Sequence, residues 1–121
     1  MPLETWYGED QRAFADAIAA FAGAHREAWQ PHPLSGFAAP AFPSAAWHGL
    51  AELGVLGLGR PDSGASPVDV AAAAEALGRQ GCPGPLWHTT FAVAVLDSAT
   101  ADRVAAGELI VSAGTPALMP W

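Results

Sequence analysis

The chain has 121 residues, of which 51% are hydrophobic and 14% are charged, and its formal net charge is −7. This length and apolar content allow one domain with a modest core, and they exclude a disordered acidic tail. The basic residues are arginines that stand singly at positions 12, 26, 60, 79 and 103. Since no basic stripe is available to neutralise phosphates, we expect neither nucleic acid nor an anionic membrane surface as a partner.

The cysteine count and the N-terminal sequence indicate the cellular compartment in which the protein is expected. Cys82 is the only cysteine, so an intrachain disulfide and a thiolate metal cluster are both excluded. The first residues, MPLETWYGED, have neither the basic region nor the apolar region of a secretory signal. No stretch reaches the roughly 18 apolar residues that a membrane span needs. A soluble, cytoplasmic chain without a membrane span is therefore expected.

A first helix is predicted over residues 9–29. Its apolar residues recur at three- and four-residue steps and form one stripe: Phe14, Ile18, Phe21, Ala22, His25 and Trp29. Pro31 and Pro33 would end this helix, because proline lacks the N–H that a helix interior uses. The proline-rich segment 30–43 is predicted to be a long connector.

A second helix is predicted from Ser44, as the N-cap, to Leu53, with Gly54 just beyond its end. Trp47 and Leu50 would form its buried face. Both ends of this helix are therefore predicted from cap chemistry, and its packing from the spacing of its apolar residues.

A third helix is predicted to begin at the sequence SPVD, residues 66–69. Ser66 would cap free amides, Pro67 would lose nothing by its missing N–H, and Asp69 would place an acid in the first turn. The helix would continue to Gln80 and end at the sequence GCPGP, residues 81–85.

The remaining elements are harder to assign. Residues 87–96 (WHTTFAVAVL) are apolar on nearly all sides, so periodicity does not separate a buried helix from a buried strand, and the β-branched residues favour a strand. A short helix is predicted over 98–106, capped by Asp97 or Ser98 and closed by Gly107. A strand is predicted over 108–114 (ELIVSAG), although a lone strand has no sheet partner in this chain.

The glycine-rich stretch 54–59 (GVLGLG) is not a phosphate-binding loop. It fits neither G-x-G-x-x-G between a strand and a helix nor G-x-x-x-x-G-K-[ST], and the chain has no lysine. Gly54 is interpreted as the end of a helix and Gly64 as a turn residue.

No catalytic or metal-binding group is predicted from the residues alone. The histidines stand in separate elements without an i,i+4 pair, which indicates no metal site: His25, His32, His48 and His88. Ser63 lacks the strand–elbow–helix setting of a nucleophile, and Cys82 has no basic neighbour to activate it. Asp62 is interpreted as a turn residue, and Glu75 as a solvated glutamate or a partner of Arg79 at i,i+4.

The order of features over 47–86 is more informative than any single residue. The residues that carry it are Trp47, Leu50, Glu52, Leu53, Gly54, Pro61, Gly64, Asp69, Glu75, Leu77, Gly78, Arg79, Pro85 and Leu86. This order resembles the N-terminal helical domain of the acyl-CoA dehydrogenase family, in which a W-x-x-L-x-E-L-G-[LV]-[LF]-G-L helix precedes a P-[ED]-x-x-G-G loop. A helix of small residues ending E-[EA]-L-G-R and a P-x-P-L turn then follow. Residues 105–110 (AAGELI) resemble the family's A-x-G-[ED] turn into the middle β domain.

The resemblance implies an all-α fold, an orthogonal or up-and-down helical bundle with a short C-terminal β-strand. Residues 1–107 would be the helical domain, and residues 108–121 the start of a truncated middle β domain. The resemblance also implies that residues 88–96 form a helix, because the family has a buried helix there.

The resemblance further implies a flavin enzyme that oxidises the α,β bond of an acyl-CoA, with hydride transfer to FAD after proton abstraction. Leu86, Phe91 and Val95 would line the acyl-chain cavity, and Thr115 would contact FAD. No catalytic residue is implied in this chain, because the family's catalytic glutamate lies in its C-terminal helical domain. The implied partners are an acyl-CoA substrate and acyl-CoA dehydrogenase-like chains, in a homo- or hetero-oligomer.

Two departures from the family pattern leave alternatives open. Members have a T-E-P-G-x-G-S-D-like segment after the first strand, whereas this chain reads AGTPALMPW, and Ala65 replaces the second glycine of the loop. The chain is interpreted as the N-terminal part, or a split subunit, of an acyl-CoA dehydrogenase-like flavoprotein without the catalytic base. The alternatives are a non-catalytic interaction subunit that packs against such a partner, and an unrelated helical binding domain.

Overall fold

The structure is a computed structural model, and it describes residues 6–29, 43–82 and 85–112. In these ranges the elements are α1 (Glu9–Ala24), α2 (Arg26–Trp29), α3 (Ser44–Glu52), a 3-10 turn (Val55–Gly57), α4 (Pro67–Arg79), α5 (Leu86–Val95) and α6 (Ser98–Ala105). The predicted all-α fold is confirmed. Within the described ranges, no helix is both long enough and apolar enough to cross a bilayer. Most of the predicted connector, residues 30–42, lies outside the described residues.

The first predicted helix is divided at His25, so the prediction of one continuous helix was wrong. His25 has a φ of −104° and a ψ of 20°, outside helical geometry, and the four-residue α2 follows it. Trp29 of α2 is buried, and its indole N–H donates a hydrogen bond of 2.8 Å to the carbonyl of Ala22 in α1. This hydrogen bond holds α2 against the end of α1. The change of backbone direction at His25 allows Trp29 to make this contact.

The start of α3 also differs from its prediction. Ser44 is the first helical residue, and Pro43 occupies the N-cap position without a side-chain cap. The physical reason is that the carbonyl of Pro43 already accepts a hydrogen bond of 3.0 Å from the N–H of Trp47, which starts the helix one residue early. The other end agrees with the prediction, because Gly54 follows Leu53 with a φ of 81°, a left-handed conformation that favours glycine.

The predicted cap of α4 is confirmed. The hydroxyl of Ser66 accepts from the N–H of Asp69 at 3.3 Å, and the Asp69 carboxylate accepts from the N–H of Ser66 at 2.6 Å. Gln11 of α1 joins this box, because its amide nitrogen donates to Asp69 at 3.0 Å. The amide oxygen of Gln11 accepts from the N–H of Gly8 at 2.9 Å. One glutamine thus links the N-terminal ends of α1 and α4.

Residues 86–95 form a helix, as the family resemblance implied, and not the strand that their β-branched residues favoured. The hydroxyl of Thr90 donates to the carbonyl of Leu86 at 2.9 Å, so this β-branched side chain is accommodated within the helix. After α5, Asp97 caps α6 by accepting from the N–H of Thr100 at 3.0 Å. Gly107 then ends α6 with a φ of 77°.

The strand predicted over 108–114 is not formed within residues 108–112, and positions 113 and 114 lie outside the described residues. The physical reason is that a strand needs a neighbouring strand for its hydrogen bonds. The N–H groups of Glu108 and Leu109 instead donate to the carbonyl of Arg103, at 3.0 and 3.3 Å.

The buried core has two parts. The larger part joins the first four helices and the 3-10 turn, and consists of Ile18, Ala22, Trp29, Ala46, Trp47, Leu50, Val55, Leu56, Ala73, Ala76 and Leu77. The smaller part joins α5 to α6 through Val93, Ala101 and Val104. Since α5 packs on α6 and on the 3-10 turn, its opposite side is left facing outward.

Candidate functional site

The outward side of α5 is apolar. Trp87, Phe91 and Val95 lie at four-residue steps and are 71%, 50% and 61% exposed; we call these three residues the α5 face. The rings of Trp87 and Phe91 stack, with centroids 6.0 Å apart and an interplanar angle of 7°. Scattered exposed apolar residues are ordinary, but a contiguous patch on one helix indicates a surface that binds a ligand or another protein.

The inward side of α5 is held by close packing. Thr89, Ala92 and Val93 are buried there. Gly59, in the loop after the 3-10 turn, approaches so closely that a Cβ built on it would overlap the carbonyl oxygen of Thr90. The α5 face is therefore presented by a helix whose other side is fixed.

A groove between α4 and α5 adjoins the α5 face. Its cavity has a volume of about 380 Å³, and its lining is Val70, Ala74, Leu77, Gly78, Cys82, Leu86, Trp87, Thr90 and Phe91. We call this cavity the α4–α5 groove. Among the described residues no charged side chain lines it, and the hydroxyl of Thr90 donates to the carbonyl of Leu86. Its chemistry suits an apolar occupant.

The structure brings together two of the three residues predicted for the acyl cavity. Leu86 and Phe91 both line the α4–α5 groove, whereas Val95 lies one turn further along α5 and does not line it. Thr115, predicted to contact FAD, lies outside the described residues. The cavity residues implied by the resemblance did not include Trp87 and Gly78; the i,i+4,i+8 spacing of Trp87, Phe91 and Val95 contains the information that would have found Trp87.

Glu75 has the structural partner that the sequence suggested, and a second one. The hydroxyl of Tyr7 donates to Glu75 at 2.7 Å, and the guanidinium of Arg79 donates at 2.6 Å. The Tyr7 hydrogen bond, together with Arg79, lowers the pKa of Glu75 below its ordinary value. A lower pKa makes this carboxylate a weaker base than an ordinary glutamate, and its oxygens are already bonded to Tyr7 and Arg79.

Of the other candidate side chains, Asp62, His25 and His48 have local partners, whereas Nδ1 of His88 is buried and has no hydrogen-bond partner among the described residues. Asp62 lies in a turn, as predicted, and accepts from Arg60 at 3.2 Å. Nδ1 of His25 donates to the carbonyl of Phe21 at 2.9 Å, and Nδ1 of His48 to the carbonyl of Ser44 at 2.8 Å. His32 lies outside the described residues. Among the residues that the structure describes, no group of three or more histidine, cysteine or acidic side chains is placed to hold a metal ion.

Comparison with known proteins gives one match. The family model for the acyl-CoA dehydrogenase N-terminal domain matches residues 8–117. This span contains all the helices of the described ranges and the α4–α5 groove. No curated protein and no solved structure matches the chain.

Proposed function

Because this chain belongs to the acyl-CoA dehydrogenase family through its N-terminal domain, we propose that it supplies the helical part of an acyl-CoA dehydrogenase-like flavoprotein. The observation that carries this proposal is the family match over residues 8–117. The complete assembly would oxidise the α,β bond of an acyl-CoA, and FAD would supply the hydride acceptor. The catalytic base would come from another part of the assembly.

The contribution of this chain would be a wall of the acyl-chain cavity. Leu86 and Phe91 line an apolar groove, and Val95 continues the apolar surface along α5. Such a wall holds the hydrocarbon by burial and keeps water from the reacting carbons. Among the described residues we assign no proton-transfer role, since the carboxylate oxygens of Glu75 are bonded to Tyr7 and Arg79, and these bonds lower its pKa and so its basicity.

The described residues do not by themselves fit FAD. Arg12 and Arg79 share a cavity of about 370 Å³, but the carboxylates Asp16 and Glu75 line the same cavity. Its balanced charges leave no net positive field for a pyrophosphate. The described residues that line the α4–α5 groove include no charged side chain. Within the described residues we therefore assign no contact to FAD; the contact of Thr115 stays a prediction, and further contacts would come from other parts of the assembly.

The test is reconstitution. The chain is co-expressed with complementary β- and C-terminal-domain partners, and the purified complex is assayed for flavin absorbance and for its bleaching by acyl-CoA. We expect partner-dependent flavin and turnover. Phe91→Ala should raise KM while leaving flavin content unchanged, whereas Val68→Ala, an exposed residue on α4, should change neither. A chain that stays monomeric in the presence of these partners would contradict the proposal.

A second candidate is a non-catalytic subunit that packs against an acyl-CoA dehydrogenase-like partner. The sequence AGTPALMPW favours it, because only Thr115 and Pro116 match the flavin-contacting segment of the family. The exposed α5 face would then be a protein interface. The same reconstitution distinguishes the two candidates, since a stable, colourless complex without turnover supports this one.

A further inference from the structure

The described chain continues past α6 as residues 108–112, which pack on the α5–α6 pair. Leu109 and Val111 are partly buried against the cluster that joins these two helices, whereas Ile110 between them is 49% exposed. Side chains that alternate in this way belong to an extended backbone, in which successive side chains point to opposite sides. The chain therefore reaches residue 112 anchored against the helix pair that carries the α5 face.

Two stretches of the chain contain no arginine and no acidic residue. The five arginines and the twelve acidic residues all lie outside residues 80–96 and 109–121. The first stretch contains α5. The second continues through AGTPALMPW, residues 113–121, which lie outside the described residues and include Leu118, Met119 and Trp121. Contact between the two stretches would remove apolar surface from water without bringing like charges together.

The second stretch is long enough to reach the α5 face. Trp121 is ten residues beyond Val111, a distance that an extended chain spans with about 33 Å. Trp87 and Val95 are eight residues apart on α5, which corresponds to about 12 Å along a helix. Half the circumference of a helix about 10 Å in diameter is about 16 Å. Residues 113–121 can therefore pass around α5 and extend along its exposed side.

The small size of the α5 face favours a segment of the same chain over a second copy. Its three residues lie on a single helix, whereas a specific interface between two proteins buries about 800 Å² on each side. A separate molecule also loses translational freedom on binding, and a tethered segment does not. A second copy therefore competes for the α5 face only at high protein concentration.

We propose that residues 113–121 lie across the α5 face when no partner is bound, with the apolar side chains of residues 118–121 against Trp87 and Phe91. This proposal concerns the chain by itself, so it goes beyond the proposed function and does not depend on it. A partner that packs on the α5 face has to displace the segment. Its apparent affinity is then reduced by the fraction of chains in which the face is covered.

A nitroxide spin label on Met119→Cys tests the proposal. The chain also carries Cys82→Ala, which leaves one site for the label because Cys82 is the only native cysteine. The unpaired electron broadens the NMR signals of nearby protons, and spectra before and after reduction of the label with ascorbate measure this effect. We expect strong broadening at the Trp87 indole N–H and at the Phe91 and Val95 amides. The amides of α1, which packs on α4, should change little.

A mixed sample distinguishes a segment of the same chain from a second copy. Spin-labelled chains without nitrogen-15 are combined with nitrogen-15 chains that carry no spin label. The proposal predicts no broadening of the α5 signals in this mixture at low protein concentration. Broadening that is as strong in the mixture as in the single labelled chain identifies a second copy as the occupant and overturns the proposal. Absence of broadening at α5 in the single chain overturns it as well.

A substitution within the segment tests whether apolar contact drives the docking. Trp121→Ser in the spin-labelled chain should lower the ratio of covered to uncovered α5 face by about tenfold, the effect of one large apolar side chain that is no longer buried. Ala117→Ser is the matched control, because it adds a hydroxyl without removing a large apolar side chain, and it should leave the broadening nearly unchanged. Equal broadening in the two variants would contradict the proposal.

Discussion

Gly59 lies where the loop after the 3-10 turn meets α5. A Cβ there would come 2.9 Å from the carbonyl carbon of Thr90 and would overlap its oxygen. Because this neighbour is backbone, it has no rotamer that would move it aside. The contact fixes the distance between the loop and the helix that carries the α5 face.

We expect Gly59→Ala to lower the free energy of unfolding by about 1–3 kcal/mol, the usual cost of forcing an extra carbon into a packed site. Urea denaturation measures this loss. Gly57→Ala is the matched control, since a Cβ there lies 3.6 Å from Cβ of Ala105, an ordinary contact. Similar losses in the two variants would show that the contact with Thr90 is not the cause.

Asp69 makes stability depend on pH. Hydrogen bonds from the Ser66 N–H, then from Gln11 and the Ser66 hydroxyl, lower the pKa of Asp69. A carboxyl whose pKa is lower in the folded state stabilises the fold above its unfolded pKa, and this contribution is lost as the pH falls through the folded pKa. The relevant window therefore lies below about pH 4, the ordinary aspartate value.

We accordingly expect the Tm to fall below about pH 4, and Asp69→Asn to show a smaller fall than the unaltered chain while being less stable at neutral pH. Circular dichroism melts across pH measure both effects. Asp16→Asn, which removes an exposed carboxylate of α1 away from the shared cap, is the control for the change in net charge. An unchanged acid profile in Asp69→Asn would show that the shared cap contributes nothing to it.

At the scale of elements, Arg60 joins the loop after the 3-10 turn to α6. Its guanidinium donates to Asp102 of α6 and to Asp62 of the loop, and the Arg60 side chain is 21% exposed. The other ion pair at α6, Arg103 with Glu108, spans 3.3 Å between side chains that are both more than half exposed. Exposed ion pairs such as Arg103 with Glu108 contribute little to the free energy of folding, because water screens their charges.

We expect Arg60→Met to lower the Tm more than Arg103→Met does, because Arg60 holds two elements together and its stem is covered. Thermal melts at low and high salt measure the difference. The difference in Tm between the two variants should narrow at high salt, since the carboxylate partners Asp62, Asp102 and Glu108 are all more than half exposed and open to screening by ions. A larger loss in Arg103→Met would contradict this assignment.

Element ends were predictable from the sequence where a local group determines them. Ser66 and Asp97 cap the helices that were expected to follow them, because their side chains bond to amides only three residues away. The helical state of α5 was not predictable from local preference, because packing on α6 and the 3-10 turn outweighs its β-branched residues. The family resemblance supplied that assignment.

Contacts between residues that are distant in the sequence were not predictable from the sequence alone. The hydrogen bond from Tyr7 to Glu75, and the one from Gln11 to Asp69, depend on how α1 lies along α4. The break at His25 likewise depends on the burial of Trp29. For the candidate site, Leu86 and Phe91 were predicted by resemblance, whereas the groove they share with Gly78 required the relative placement of α4 and α5.

At the scale of the whole molecule, the α5 face is an apolar surface on a chain of net charge −7. Charge repulsion opposes association, but it weakens with salt, whereas burial of aromatic surface does not. We therefore expect the chain to self-associate at high salt and concentration when no partner is present.

Phe91→Glu should abolish this self-association, because it places a charge at the centre of the α5 face. Sedimentation velocity across protein concentrations measures it. Ala20→Glu is the control, since it adds the same charge to an exposed position of α1 and should leave association unchanged. Equal effects of Phe91→Glu and Ala20→Glu would show that self-association depends on net charge and not on the α5 face.

The division of the core into two parts has a consequence for motion. Among the described residues, the hydrophobic cluster between α5 and α6 holds three buried side chains, whereas the larger cluster holds eleven. Openings of a folded protein follow such units, and the unit with less buried surface opens at lower free energy. Amide protons of α5 and α6 should therefore exchange with deuterium sooner than those of α1 and α4. The helix pair that carries the α5 face would thus open as a unit before α1 and α4 lose their packing.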